Sequence, residues 1–131
     1  GATYDKKDIA GFTAAVRTGQ GVFYVPDQNA ARRTVFVPFL GVQAATLGAI
    51  GGVLQRAGGR VLLMWARRDA DGRQHIDLQP AWEGWPAADD TETAARYMAW
   101  IGERLQAAPE QYLWVHRRFK TRPPGEPSVY R

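Results

Sequence analysis

The segment from Asp89 to Pro109 constrains the fold most strongly, because its pattern specifies a long amphipathic helix. Asp89 and Glu92 have the spacing of a capping box, in which side chains satisfy the free backbone N–H groups at a helix start. Six apolar residues follow at helical spacing on one face: Ala94, Tyr97, Met98, Ile101, Leu105 and Ala108. Pro109 marks the end. A helix with one apolar face must pack against other elements, so a core is expected around it.

The first half of the chain alternates between helical and β patterns. A helix is predicted from about Lys6 to Thr18, with Gly19 as its stop. The run GVFYV (21–25) predicts a short buried strand. TVFVPFLG (34–41) predicts an edge strand or an extended loop, because its proline lacks a backbone N–H.

The middle of the chain predicts one more helix and two more strands. The helix is expected from Ala44 to Ala57, ended by two glycines. RVLLMWA (60–66) predicts a strand buried on both faces, and Asp71-Gly72 predicts a turn into the strand RQHIDLQP (73–80). The predicted order is α-β-(β)-α-β-β-α with a basic tail, which indicates an α/β fold and a single domain over residues 1–131.

Composition excludes several classes of function. A chain of 131 residues with 45% hydrophobic and 23% charged residues is typical of a globular protein, and no apolar run approaches the roughly 18–20 residues of a membrane span. Cysteine is absent, and two histidines far apart in sequence do not match a zinc site. The net charge of +4 favours anionic partners. Much of it lies from Arg117 onward, where five cations face one acid, Glu126.

The candidates for catalysis are few. Ser128 is the only serine, and the chain contains no G-x-S-x-G, P-loop or dinucleotide-binding motif. His75 lies on a half-exposed strand beside Asp77, which favours a solvated side chain over a general base. His116 is better placed, but a buried imidazole that ties the end of the chain to the core explains it more simply.

The loop PDQ (26–28) has the strongest features of a site. It follows a predicted strand, at the end where α/β sheets place ligand-binding residues. Asp27 is suited to accept hydrogen bonds from a substrate or catalytic group, and Arg32 and Arg33 to meet a phosphate. The alternative is a turn capped by Asp27, followed by two solvated arginines. The pattern alone leaves both interpretations open.

EQYLWVHRRFKTRPPG (110–125), here called the aromatic–basic segment, allows three interpretations. Aromatic side chains interleaved with cations suit stacking and phosphate pairing on single-stranded nucleic acid. They also suit an anionic membrane surface. The third interpretation is a turn that packs on the core and ends in solvated cations. Nucleic acid is disfavoured because the chain contains no recognition helix, RNP-like strand or zinc knuckle.

Two blocks of the sequence together resemble one family. YVPDQNAARRTVFVPFLGVQAATLGAI (24–50) and APEQYLWVHRRFKTRPPG (108–125) resemble the bacterial lipid A biosynthesis late acyltransferases, which add lauroyl or myristoyl groups. The likeness extends over nearly the whole chain from about Asp8, in the family's order and spacing. It implies a glycerol-phosphate acyltransferase-like α/β fold. It also implies transfer of an acyl chain from acyl carrier protein to a hydroxyl of the Kdo-bearing lipid A precursor, with no metal or diffusible cofactor.

The resemblance also implies a catalytic His–Asp/Glu pair, written H-x-x-x-x-D/E, which this sequence does not contain. Pro80 stands five residues after His75, and Thr121 stands five after His116. The family's motif lies upstream of the PDQ loop, behind an N-terminal membrane helix. The 131 residues are therefore expected to be the C-terminal portion of such an enzyme, inactive alone and prone to self-association or to an altered arrangement of its elements.

The resemblance carries over to five candidate substrate-binding residues. Asp27 matches the aspartate of the family's loop, although Asn29 replaces the second acid there. The basic motif is matched by four cations, some of which are expected to bind acceptor phosphates or lipid headgroups: Arg117, Arg118, Lys120 and Arg122. The implied location is the cytoplasmic face of a Gram-negative inner membrane. The alternative function is a small basic module that binds anionic lipid or nucleic acid without catalysis.

Overall fold

The computed structural model describes residues 8–131. The first helix, α1, spans Ile9–Arg17, and the predicted start at Lys6 lies outside the described residues. Asp8 caps the helix by accepting a hydrogen bond from the Gly11 N–H at 2.8 Å. Gly19, which has a φ of 81°, follows the helix end as predicted.

Six further helices and strands follow α1. They are β1 (Thr34–Phe39), β2 (Val42–Leu47), α2 (Ile50–Ala57), β3 (Leu62–Arg68), β4 (Gln74–Pro80) and α3 (Asp90–Ala107), and a 3-10 turn at Pro109–Gln111 comes after them. β1 pairs with β2 and β3 with β4, both antiparallel, so the described residues hold two separate two-stranded sheets. The mixed α and β content agrees with the predicted class, while the glycerol-phosphate acyltransferase-like arrangement stays a prediction.

The predicted helix from Ala44 to Ala57 is wrong in its first half. Leu40 and Gly41 both have positive φ, 51° and 79°, which is the signature of a two-residue type I′ hairpin turn. This turn folds the chain back on β1, so β2 forms where a helix was expected, and α2 begins only at Ile50. Leucine rarely adopts positive φ, and the sequence therefore offered only Gly41 as a signal.

The predicted strand at 21–25 is also wrong. No strand is assigned to these residues within the described part of the chain, and Phe23, Tyr24 and Val25 are exposed. An apolar, β-branched run becomes a strand only where a neighbouring segment supplies the hydrogen-bond ladder. Here the assigned strands pair only with each other.

The β3–β4 hairpin forms as predicted, but β3 is not buried on both faces. Gly72 has a φ of 87° in the turn, which confirms the predicted Asp71-Gly72 reversal. Trp65 packs edge-on against Trp100 of α3, with ring centroids 6.1 Å apart. The opposite face of the hairpin carries exposed apolar side chains in cross-strand register: Leu62 with Pro80, Met64 with Leu78, and Ala66 with Ile76. β3 is exposed on this face because one layer of the described structure covers the hairpin, whereas the prediction required a layer on each face.

The core lies between α3 and the β1–β2 hairpin. The buried cluster joins residues from β1, β2, α2 and α3: Val37, Phe39, Ala44, Ile50, Ala94, Tyr97, Met98, Ile101 and Leu105. Asp89 caps α3 through the Glu92 N–H at 2.9 Å, and the helix ends just before Pro109, both as predicted. Among residues 8–131, no helix has the length and apolar character needed to cross a bilayer.

Candidate functional site: an apolar cleft beside the aromatic–basic segment

A cleft of about 710 Å³ opens beside the core. Its volume falls within the roughly 300–1,000 Å³ that is common for small-molecule sites. Residues 19–27 form one wall, and α1, α2, β3 and α3 supply the others. Most of the lining side chains are aliphatic or aromatic, including Phe12, Phe23, Val25, Leu54, Leu62 and Trp100. Such a lining suits a long apolar ligand better than a sugar or a nucleotide.

The lining of the cleft also includes polar side chains: Gln20, Tyr24, Asp27, Arg60, Tyr97 and Tyr112. Burial raises the pKa of Tyr112 to about 12, and the carboxylate of Asp27 adds to this increase. Burial likewise raises the pKa of Tyr97. Both phenols therefore stay protonated at neutral pH and keep their O–H donors.

The Tyr112 hydroxyl has unused hydrogen-bonding capacity. It is buried, and no partner for it lies in the described part of the chain. The Tyr97 hydroxyl, in contrast, lies 3.5 Å from the Leu47 carbonyl oxygen. A buried polar group without a partner is costly unless a ligand or water satisfies it. The Tyr112 hydroxyl is enclosed by the protein, so Asp27 is better suited than Tyr112 to meet the polar part of a ligand in the cleft.

The PDQ loop is fixed to the aromatic–basic segment by the residue that follows it, Asn29. Its backbone N–H donates to Nε2 of His116 at 3.0 Å. Its side-chain amide and Thr121 exchange two hydrogen bonds, each 3.1 Å long. Because Nε2 of His116 accepts a hydrogen bond, it carries no proton and is engaged in structure rather than poised as a base. This contact holds Asp27, two residues before Asn29, next to the segment.

Arg118 occupies a different position from the one expected. It is 1% exposed, and its guanidinium donates to the Ala45 carbonyl oxygen at 2.6 Å and to Thr46 Oγ1 at 2.7 Å. Burial lowers the pKa of Arg118, while Tyr112, Tyr97 and Asp27 act in the opposite direction. We revise the expectation that it binds a phosphate, because this guanidinium is enclosed and bonds to groups of the protein.

The other three cations of the motif are nearer to solvent. Arg122 bonds to the Gln43 and Pro127 carbonyl oxygens and pairs with Glu126. Arg117 lies at the surface, with its guanidinium carbon 4.7 Å from the centre of the Tyr130 ring. Lys120 is exposed as well. Arg117 and Lys120 are thus the two exposed cations of the motif.

Gln111 was not identified from the sequence as a residue that supports the site. The side-chain amide of Gln111 accepts from the Arg68 N–H at 2.7 Å and donates to the Arg68 carbonyl oxygen at 2.8 Å. It continues the β3 ladder and ties the hairpin to the aromatic–basic segment. His75 pairs with Asp69 near the hairpin turn. No group of three or more potential metal-ligating acids or histidines occurs among residues 8–131.

An apolar cleft with a few polar groups in its wall is the general form of a small-molecule site. Comparison with known proteins specifies the class. Residues 1–121 match the family described as bacterial lipid A biosynthesis acyltransferase. The chain therefore belongs to this acyltransferase family, and the resemblance of the two sequence blocks is confirmed.

Three curated relatives from Escherichia coli K12 indicate the range of the family. The chain is 42% identical to a lipid A biosynthesis lauroyltransferase over 96% of its own length and 42% of the relative's. It is 40% identical to a palmitoleoyltransferase, covering 98% of this chain and 43% of that protein. Identity to a myristoyltransferase is 33%, over 94% and 39% of the two chains. The chain thus spans less than half the length of these relatives.

Proposed function

We propose that this chain forms the acyl-binding, C-terminal portion of an enzyme that transfers a fatty acyl chain to a lipid A precursor. The observation that supports this best is the apolar cleft, whose wall also carries Asp27 and the unpartnered Tyr112 hydroxyl. An acyl chain fits the apolar lining, and its thioester carbonyl needs hydrogen-bond donors in the wall of the cleft.

The acyl donor and the acceptor of the proposed reaction are the ones that the family resemblance implies. The acceptor hydroxyl oxygen attacks the thioester carbonyl of an acyl carrier protein conjugate. The new C–O ester bond forms, the C–S bond breaks, and the hydroxyl proton passes to a base. Asp27 is proposed to orient the acceptor, and Arg117 and Lys120 to bind phosphates of the acceptor or of lipid headgroups at the cytoplasmic face of the inner membrane. Arg118 and Arg122 are proposed to hold this surface in place.

Occupation of the cleft by an acyl chain can be measured directly with dansyl-undecanoic acid, a fluorescent fatty acid. Leu62 lines the cleft and is 60% exposed, so replacing it with glutamate puts a charge in the cleft without opening the core. Leu62→Glu is expected to weaken probe binding about tenfold, because apolar contact is lost and a carboxylate must be desolvated. Fluorescence titration measures the change.

Ile76 provides the matched control for this experiment. It lies on the same face of the hairpin and is 59% exposed, but it is not part of the cleft lining. Ile76→Glu should leave probe affinity within about twofold, since it adds the same charge outside the cleft. Equal losses in both variants would show that the probe binds the hairpin face or responds to charge alone.

The 131 residues by themselves are expected to transfer no acyl group. Neither histidine begins an H-x-x-x-x-D/E motif, and His116 Nε2 already accepts the Asn29 N–H. Incubation with lauroyl-acyl carrier protein and the Kdo-bearing precursor should therefore give no acylated lipid above the enzyme-free rate. The Escherichia coli lauroyltransferase, assayed in parallel, serves as the positive control. Sustained turnover by this chain would contradict the proposal.

A further inference from the structure

Three consecutive apolar residues of the aromatic–basic segment lie at the surface. Leu113 is 66% exposed, Trp114 is 52% exposed and Val115 is 84% exposed. Monomeric proteins rarely present consecutive large apolar residues to water unless the surface has a partner. These three residues form a turn, here called the Leu113–Val115 turn.

The turn is held in place by hydrogen bonds rather than by burial. The Trp114 N–H donates to the Tyr112 carbonyl oxygen at 2.8 Å, and the His116 N–H donates to the Leu113 carbonyl oxygen at 2.9 Å. The indole N–H of Trp114 donates to the Pro109 carbonyl oxygen at 2.6 Å, and its ring packs edge-on against Tyr112. These polar groups already have partners, so the turn can enter a less polar medium at a lower desolvation cost.

The charges next to the turn have one sign. Arg117 and Lys120 are exposed, and the Lys120 N–H donates to the Arg117 carbonyl oxygen at 3.1 Å, which keeps the two residues together. No acid occurs between residues 111 and 125. Of the two acids that flank this stretch, Glu126 pairs with Arg122 and Glu110 contacts Gln111. Apolar side chains beside unpaired cations complement a bilayer that carries anionic headgroups.

We propose that the Leu113–Val115 turn inserts into the headgroup region of an anionic bilayer, with Arg117 and Lys120 on the lipid phosphates. Tyr112, the preceding residue, lines the apolar cleft, so this contact sets the cleft beside the membrane. A lipid-borne acceptor then reaches the cleft without crossing water. The inference deepens the proposed function and rests on it for the kind of membrane, whereas the contact itself rests on exposure and charge.

The test is sedimentation of the 131-residue chain with vesicles of phosphatidylcholine, with and without phosphatidylglycerol. Leu113→Ser combined with Val115→Ser is expected to weaken binding to the anionic vesicles about tenfold. Arg117→Gln combined with Lys120→Gln should weaken it similarly and should reduce its sensitivity to salt. Ile76→Ser combined with Leu78→Ser is the matched control, since it removes two comparably exposed apolar side chains elsewhere.

Each outcome either supports or overturns the proposal. Loss only in the two variants of the aromatic–basic segment supports it. An equal loss in the hairpin control, undiminished binding by Leu113→Ser with Val115→Ser, or equal affinity for neutral vesicles overturns it. So does a single-stranded oligonucleotide that binds more tightly than the vesicles. Titration of the same variants with the fluorescent fatty acid separates this test from that of the cleft, because weaker vesicle binding with unchanged probe affinity concerns the membrane contact alone.

Discussion

Replacing Arg118 with alanine is expected to lower the free energy of unfolding by about 3 to 5 kcal/mol, measured by urea denaturation. Two hydrogen bonds from a charged group are lost, to the Ala45 carbonyl oxygen and to Thr46 Oγ1, and a cavity replaces a side chain that is 1% exposed. The cation–π contact between the Arg118 guanidinium and the Phe39 ring, whose centre lies 5.6 Å from the guanidinium carbon, is lost as well.

Two further variants separate the causes of this loss. Arg118→Met fills most of the volume and needs no desolvation of a charge, so it should cost only about 1 to 3 kcal/mol. Arg117→Ala removes the neighbouring exposed cation and its contact with Tyr130, which is worth about 0.5 to 1 kcal/mol. If Arg117→Ala and Arg118→Ala have the same effect, the buried position assigned to Arg118 is wrong.

Replacing Phe39 with alanine should have an effect of similar size, about 3 to 5 kcal/mol. Phe39 is buried in β1, and its ring lies 6.0 Å from that of Tyr112 and 6.1 Å from that of Phe119. It is therefore the point at which the VFVPFLG block packs on the aromatic–basic segment. Urea denaturation measures the loss of stability, and faster proteolysis within residues 110–125 is expected to accompany it.

Phe36 is the control for this prediction. It lies in the same strand, three residues earlier, and is only half-buried. Phe36→Ala should therefore cost no more than about half as much, and it should leave proteolysis of the aromatic–basic segment unchanged. A larger effect at Phe36 than at Phe39 would contradict the assignment of the core to the Phe39 side of the sheet.

The elements that sequence predicted correctly depend on short-range patterns. The cap at Asp89, the apolar face of α3 and the Asp71-Gly72 turn each involve residues within a few positions or a few helical turns of one another. The β2 strand was missed because its formation depends on the Leu40-Gly41 turn, in which a leucine adopts positive φ. Residues 21–25 were misassigned because strand patterning says nothing about whether a partner strand is available.

The candidate site likewise has one part that local sequence patterns predicted and another that depends on contacts between distant segments. The sequence indicated Asp27 as a candidate because of its position in the PDQ loop. The structure shows that Asp27 lines a cleft and that Tyr112, whose hydroxyl has no partner, lines the same cleft. The cleft itself was not foreseen, because its walls come from residues between 12 and 112 in the chain. The role of Arg118 had to be revised for the same reason, since its acceptor at Ala45 lies 73 positions away.

The sequence by itself determined the family, the basic end of the chain and the elements whose signals are local. Those properties follow from residue identity and spacing, which the sequence states directly. Only the tertiary structure decided that Arg118 of the basic motif is enclosed while Arg117 and Lys120 face solvent. Only the tertiary structure decided, too, that the apolar residues 21–25 line a cleft instead of pairing as a strand. Burial and hydrogen-bond partners are set by segments that meet only in the folded chain, so four cations with the same formal charge lie in different environments.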